Sequence, residues 1–152
     1  MTIETLVSSD KDRVKDLFVS VFSQAPWHDD WSDEQQLDRY IGDLLAHPRA
    51  LCFGLFDQVN LIALSLGYIR YWYEGTEYRI EELCIAPDYQ GQGLGSRFLS
   101  EIEKLLADRG IVHILLQTER NLPAFSFYKN CGFHALEEDV TMVKKVGRHE
   151  SN

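Results

Sequence analysis

No apolar run in the chain approaches the ~20 residues that a membrane-spanning helix needs. The opening Met1-Thr2-Ile3-Glu4-Thr5 has neither the basic nor the apolar region of a secretory signal. There are only three cysteines, Cys52, Cys84 and Cys131, an odd number with no Cys-x-x-Cys pair. A disulfide framework is therefore not expected, and reduced thiols in the cytoplasm are. No His/Cys or His/acid cluster has zinc-ligand spacing, so no metal is expected. Cations are scarce: 15 Lys and Arg stand against 24 Asp and Glu, a net charge of −9. Such a surface repels phosphate backbones, which argues against nucleic acid as a partner, and it attracts protonated amines. There is no repeat, low-complexity stretch or linker.

What is present describes one globular domain. The chain has 152 residues, 45% hydrophobic and 26% charged, enough to close a single core. The domain is expected over 1–146, with a polar tail over 147–152. Periodicity predicts a strand over 2–7 and a helix over 9–22 capped by Ser8 or Ser9. A second helix follows Ser32, with Gln35 completing a capping box, and stops at Pro48. Strands are expected over 51–56, 61–73 and 77–86, the last two joined at Glu74-Gly75-Thr76. A helix running to Asp108 turns Leu94, Phe98, Ile102, Leu105 and Leu106 inward. A buried strand over 111–116 and a helix opened by Pro123 come next, and strands over 133–136 and 140–146 close the chain. Early hairpins followed by a strand–helix–strand crossover predict an α/β fold: one mixed sheet with helices on both faces.

Two segments carry chemistry. Gln90-Gly91-Gln92-Gly93-Leu94-Gly95-Ser96 lies between a predicted strand and a predicted helix. There the unpaired N–H groups and positive dipole end of a helix can meet an anion, and glycine lets it approach. No Lys follows Gly95, which excludes a P-loop, and Ser96 stands where a dinucleotide fingerprint needs its third glycine. Read alone, the glycines fit turn geometry as well as a phosphate cradle. The second segment, Asn121 to Phe133, follows the next strand.

Together the two segments resemble the GNAT superfamily of acetyl-CoA-dependent N-acetyltransferases, nearest in pattern to those acting on polyamines and aminoglycosides. Gln90, Gly93 and Gly95 fill the fixed positions of that family's Gln/Arg-x-x-Gly-x-Gly/Ala loop. Asn121, Ala124, Phe127, Tyr128, Gly132 and Phe133 fill its later motif. The resemblance implies a mostly antiparallel sheet splayed between the fourth and fifth strands. It implies acetyl-CoA as co-substrate, with the diphosphate on the amides of Gln92 to Ser96 after Gln90 and Gly91. The pantetheine arm would lie along Leu83, Cys84 and Ile85, and Asn121 would bond to it. Asn121 reads equally well as a helix cap ahead of Pro123.

By the same resemblance Tyr128 would protonate the departing sulfur; by itself it reads as a core tyrosine. For a base, alternation places Glu81 with Leu83 and Ile85 on one face, and Glu82 with Ile80 and Cys84 on the other. Glu81 matches the acid that small-amine members carry and is the expected base. Glu82 could do similar work on its own face, and either acid could instead pair with an arginine. The acceptor is expected between two aromatic and acidic segments, one holding Trp27, His28, Asp30 and Trp31 and the other Tyr73. Aromatic faces and carboxylates suit a cationic amine, although the tryptophans could equally staple the second helix. The expected function is acetyl transfer to a small cationic amine, and a homodimer is compatible with the sequence. A protein N-terminal or lysine acetyltransferase, or a non-catalytic CoA-binding sensor, are the alternatives.

Overall fold

The structure, a computed structural model, describes residues 1–147. The strands are β1 (Thr2–Leu6), β2 (Cys52–Asp57), β3 (Asn60–Trp72), β4 (Gly75–Ile85) and β5 (His113–Leu116). The helices are α1 (Lys11–Phe22), α2 (Glu34–Ala46), α3 (Leu94–Asp108) and α4 (Pro123–Asn130). The sheet runs β1-β2-β3-β4-β5; every pair is antiparallel except β4–β5, which is parallel. The mixed α/β class expected from the sequence is the one observed.

Helices cover both faces. On one, Val14, Leu17, Phe18 and Val21 of α1 and Leu37, Ile41 and Leu45 of α2 bury against Phe56, Leu64, Leu66 and Cys84. On the other, Leu94, Phe98, Leu99, Ile102 and Leu106 of α3 bury against Phe53, Leu55, Ile62, Tyr78 and Ile80. Leu105, expected inward, is 41% exposed at the edge of that stripe. The cap of α2 lies one residue beyond the expected Ser32: Asp33 accepts from the Gln36 N–H at 3.1 Å. A 3₁₀ turn over Ser8–Asp10 precedes α1, and the Asp10 carboxylate rather than a serine takes the Val7 N–H at 2.7 Å.

The register between β3 and β4 slips once. Leu66 faces Glu82 but Gly67 faces Ile80, so Glu81 is an extra residue on β4, a β-bulge. The bulge inverts the alternation. Before it, Tyr78 and Ile80 face α3; after it, Cys84 faces α1 and α2. The expectation that Ile80, Glu82 and Cys84 share one face is therefore corrected: Ile80 lies opposite to Cys84. Gly67 is what the bulge closes onto. A Cβ there would lie 2.3 Å from the Arg79 carbonyl and 2.8 Å from the Tyr78 ring. The fully buried Tyr78 ring crosses this gap, and its hydroxyl donates to the Leu51 carbonyl at 2.8 Å while sharing a bond with Ser65 Oγ.

The final pair of strands expected over 133–136 and 140–146 is corrected as well. Among the described residues no strand follows β5, whose outer edge is unpaired, and the chain after α4 runs on outside the sheet. Local composition suggests a strand there but does not say which edge it would join.

Gly67→Ala is expected to destabilise the fold by about 2–3 kcal/mol, because the added methyl meets backbone rather than a movable side chain. Urea unfolding of the two proteins checks this.

Candidate active site

The site forms where β4 and β5 part. Their pairing ends at Ile80 and Leu116, so beyond the bulge β4 has a free edge. The Ala86 N–H bonds back to Ile62 on β3 at 2.7 Å. By alternation Cys84 also directs its backbone to β3, and Leu83 and Ile85 direct theirs into the gap. Cys84 therefore offers the gap no backbone group, and its buried thiol is pushed far up by desolvation. Gln90 Nε2 donates to the Ile85 carbonyl at 2.9 Å, tying the glycine loop to this edge.

The loop leads into α3 without a side-chain cap. Gly93, the N-cap residue, is left-handed at φ 76°, and no acid lies in the first turn of the helix. Gly91 is also left-handed, and a Cβ at either glycine would meet nothing within 4 Å. Their conformation requires glycine and the space before them is open, so the N–H groups of Leu94, Gly95 and Ser96 face an open mouth. Gly95 serves packing instead: a Cβ there would touch the Phe127 ring at 3.0 Å. Gln92 Nε2 donates to the Asp88 carbonyl at 3.2 Å, folding the loop upon itself. Asn121 makes no cap: Leu122 is the N-cap residue of α4, and the exposed Asn121 side chain stands before it.

The two glutamates part company at the bulge. Glu81 is exposed and bonds Arg79 Nε at 3.1 Å. Glu82 is half-buried, and its Oε1 accepts from the Tyr40 hydroxyl of α2 at 2.8 Å. Burial raises the Glu82 carboxyl to about 7; the Tyr40 bond opposes the rise, and the charges of Glu81 and Asp29 add to it. Tyr128 on α4 lies between the rings of Phe127 and Phe133, at 5.3 and 5.5 Å. Burial foremost, then the Glu82 charge, raises its phenol well above the ordinary value. The Glu82 charge is thus one of the causes that hold the proton on the Tyr128 phenol.

The α1–α2 connection closes this side. Trp31 stacks on Tyr40 at 5.4 Å and 16° and meets Phe18 edge-on; Trp27 packs edge-on against Phe22 at 5.0 Å. Both rings staple the connection to the core, and Trp31 Nε1 is buried without a hydrogen-bond partner. Asp30 is spent on a local turn, accepting from the Ser32 N–H at 3.0 Å. The exposed His28 has a left-handed backbone, at φ 50°. Asp29, not singled out in the sequence, is the residue of this loop whose charge reaches Glu82. Tyr40 was missed too, because it reads as one more member of an apolar stripe. Tyr73 is not brought to the site. It is 84% exposed at the β3–β4 turn, roughly 25 Å from Glu82 at the usual rise along a strand.

A match to the acetyltransferase (GNAT) family spans residues 12–133. The chain belongs to that family. A spermidine N(1)-acetyltransferase of Thermoplasma acidophilum is 25% identical over 98% of this chain and 92% of its own length. A thialysine N-epsilon-acetyltransferase of Bos taurus is 28% identical over 80 residues, 51% of this chain and 47% of the bovine protein. The chain thus aligns with about half the length of that relative. Among solved structures, an aminoglycoside acetyltransferase from an uncultured soil metagenomic sample, bound to sisomicin, superimposes with a TM-score of 0.73. It is 18% identical, and the match covers 96% of each chain. That likeness is one of fold.

Glu82 has a stability consequence with a definite sign. In the unfolded chain its carboxyl ionises near 4.5, in the folded chain near 7. Between those values the folded state holds the extra proton, so this residue's contribution to stability falls as pH rises. Glu82→Gln is expected to match the wild type below pH 4.5 and to exceed it by up to about 3 kcal/mol at pH 8. Denaturant titrations at the two pH values check this.

Proposed function

We propose that this family member is an N-acetyltransferase that transfers acetyl from acetyl-CoA to the primary amine of a small cationic acceptor, of polyamine or aminoglycoside type. The observation that carries the reading is the Glu82 carboxylate, held by Tyr40, with no cation bonded to it among the described residues and with its charge reaching Tyr128. The cofactor fits the residues present. The uncapped start of α3 with its two left-handed glycines suits a diphosphate, and the outward backbone of Leu83 and Ile85 suits an extended amide-bearing arm. Bound there, acetyl-CoA supplies an activated thioester.

The chain's own residues supply binding and proton transfer. An alkylammonium is mostly charged at neutral pH and cannot attack until it loses a proton. Glu82, charged above about pH 7, attracts the cation and takes that proton on Oε2, since Oε1 is held by Tyr40. Glu81, which the motif position favoured, is engaged by Arg79 and adds its charge to the field that tunes Glu82. The Leu83 N–H, turned into the gap, polarises the carbonyl under attack.

Tyr128 donates its proton to the departing sulfur. A phenol raised above its ordinary value is a weak acid, and two effects offset this. The burial that raises Tyr128 raises any thiol beside it, as it does Cys84. Once Glu82 has accepted the amine proton it is neutral, and the charge that helped hold the Tyr128 proton is gone. Use of the base strengthens the acid. The small-amine preference is supported by the net charge of −9, by Glu82 and Asp29, and by the spermidine relative.

Tyr128→Phe is expected to lower turnover by roughly 10²- to 10⁴-fold with acetyl-CoA affinity nearly unchanged. Glu82→Gln is expected to abolish the rise of kcat/KM through pH 7, and Glu81→Gln to retain it. A thiol-release assay with polyamines, aminoglycosides, amino acids and peptides measures all three. Turnover on peptides alone would overturn the small-amine reading. A Glu82→Gln profile identical to that of the wild type would remove Glu82 as the base.

A further inference from the structure

A loop that receives an anion on its main chain must be held still. Gln90 to Gly93 are all exposed, and two of the four are left-handed glycines whose surroundings are empty within 4 Å. Glycine loses more freedom on ordering than any other residue, and that cost is subtracted from the affinity of whatever the loop binds. What limits the cost is how firmly the two ends are fixed. The far end is Leu94, buried among the α3 contacts. The near end is Tyr89, the last residue of a 3₁₀ turn over Pro87–Tyr89. Its ring packs against the same core, and its hydroxyl donates to Asp57 Oδ2 at 2.8 Å.

Asp57 comes from a distant part of the chain. It is the last residue of β2 and pairs with Asn60 across the tight turn into β3. Among the described residues no salt bridge reaches its carboxylate. The Tyr89 hydroxyl is the donor that meets it, and a bond to a charged acceptor is a strong one. That bond, foremost, raises the Tyr89 phenol above its ordinary value, so the donor keeps its proton. An acid at this place does not attract a phosphate. Its use is to hold Tyr89. The loop is then tied to two strands: through Tyr89 to the end of β2, and through Gln90 to the Ile85 carbonyl of β4.

We propose that Asp57 and Tyr89 are positioning residues for the cofactor: their hydrogen bond fixes the entry to the glycine loop, so that the amides of Gln92 to Ser96 stand ready for the diphosphate before it arrives. The proposal rests on the acetyl-CoA reading above. Both residues act through the loop, and the effect belongs to cofactor affinity rather than to the chemical step.

The first test needs no ligand. In the full chain, amide hydrogen exchange over 91–96 is expected to be faster in Tyr89→Phe and in Asp57→Ala than in the wild type. Asp57→Asn keeps an acceptor oxygen and is expected to restore most of the protection. The second test is calorimetric titration with CoA. Each damaging variant is expected to raise Kd about 10-fold, the worth of one hydrogen bond to a charged group. The double variant should lose no more than either single one, because both remove the same bond. KM for acetyl-CoA should rise with Kd, while kcat and the KM of the amine hold. Val14→Ala, which opens a cavity in the α1 core, is expected to lower stability and leave Kd unchanged. Variants that bind CoA like the wild type, or loop exchange that does not change, would overturn the proposal and leave the cofactor reading intact. So would a Val14→Ala protein that loses as much affinity, which would make the effect one of general stability. A wild type that does not bind CoA would overturn both.

Discussion

The extra residue at Glu81 decides what the rest of the molecule can be. Were β4 regular, Glu82 would follow Ile80 onto the face that α3 covers, among Phe98, Leu99 and Ile102, where a carboxylate finds no donor. The inserted residue rotates everything after it. Glu82 turns instead toward α2, where the Tyr40 hydroxyl meets it. The same slip ends the pairing with β5, so the outward backbone of Leu83 and Ile85 stays free. A half-buried carboxylate and a free strand edge thus arise from one irregularity. It is held by a glycine on the neighbouring strand and by the Tyr78 ring packed across it.

Two acids on β4 show why burial alone does not mark a functional group. Glu77 is more deeply buried than Glu82. It lies between Arg70 and His113, each 3.6 Å from one of its oxygens, and Arg70 in turn rests on the Trp72 ring at 4.0 Å. Arg70 balances its charge, an arrangement that ties β3 to β4. Glu82 has a phenol for a partner and two other acids for company. Its proton affinity is set by burial and repulsion, and only a cation brought from outside can balance its charge. The neighbours of each acid, more than its depth, separate a structural carboxylate from one suited to proton transfer.

Much of this was legible in the sequence. The order of the first nine elements, the faces of α1 and α2, the glycine loop and the position of Tyr128 follow from periodicity, turn chemistry and the family motif. The different surroundings of Glu81 and Glu82 did not follow, because alternation assumes a period of two and the bulge breaks it. Gly67 was the available signal. A glycine inside a strand of Leu64, Ser65, Leu66, Tyr68 and Ile69 marks a bulge or a close backbone approach. Tyr73 misled for the opposite reason: its aromatic and acidic surroundings resemble a cation site, but only the strand's length reveals how far it stands from the bulge. The β-branched residues over 140–146 suggested a strand, and local composition carries no address for the edge a strand would join.

Several of the unpartnered main-chain groups lie side by side. The start of α2 is capped by Asp33, Asp10 closes the turn before α1, and β1 to β3 are paired along the sheet. Three free stretches adjoin one another: the uncapped start of α3, the outer edge of β4 after the bulge, and the edge of β5; the outer edge of β1 and the start of α4 are free as well. Free backbone groups cost stability when nothing meets them, so a fold leaves them where water or a partner will. Here three of them line the two sides of β5. On the inner side the geometry suits a thin ligand with a diphosphate at one end, because the opening starts at a single bulge and ends at a helix mouth. The outer side carries the half-buried Ile114, Leu115 and Leu116 and no pairing strand among the described residues. One short strand is thus both the inner wall of the gap and the last strand of the sheet, so whatever fixes the outer side of β5 also sets the position of that wall.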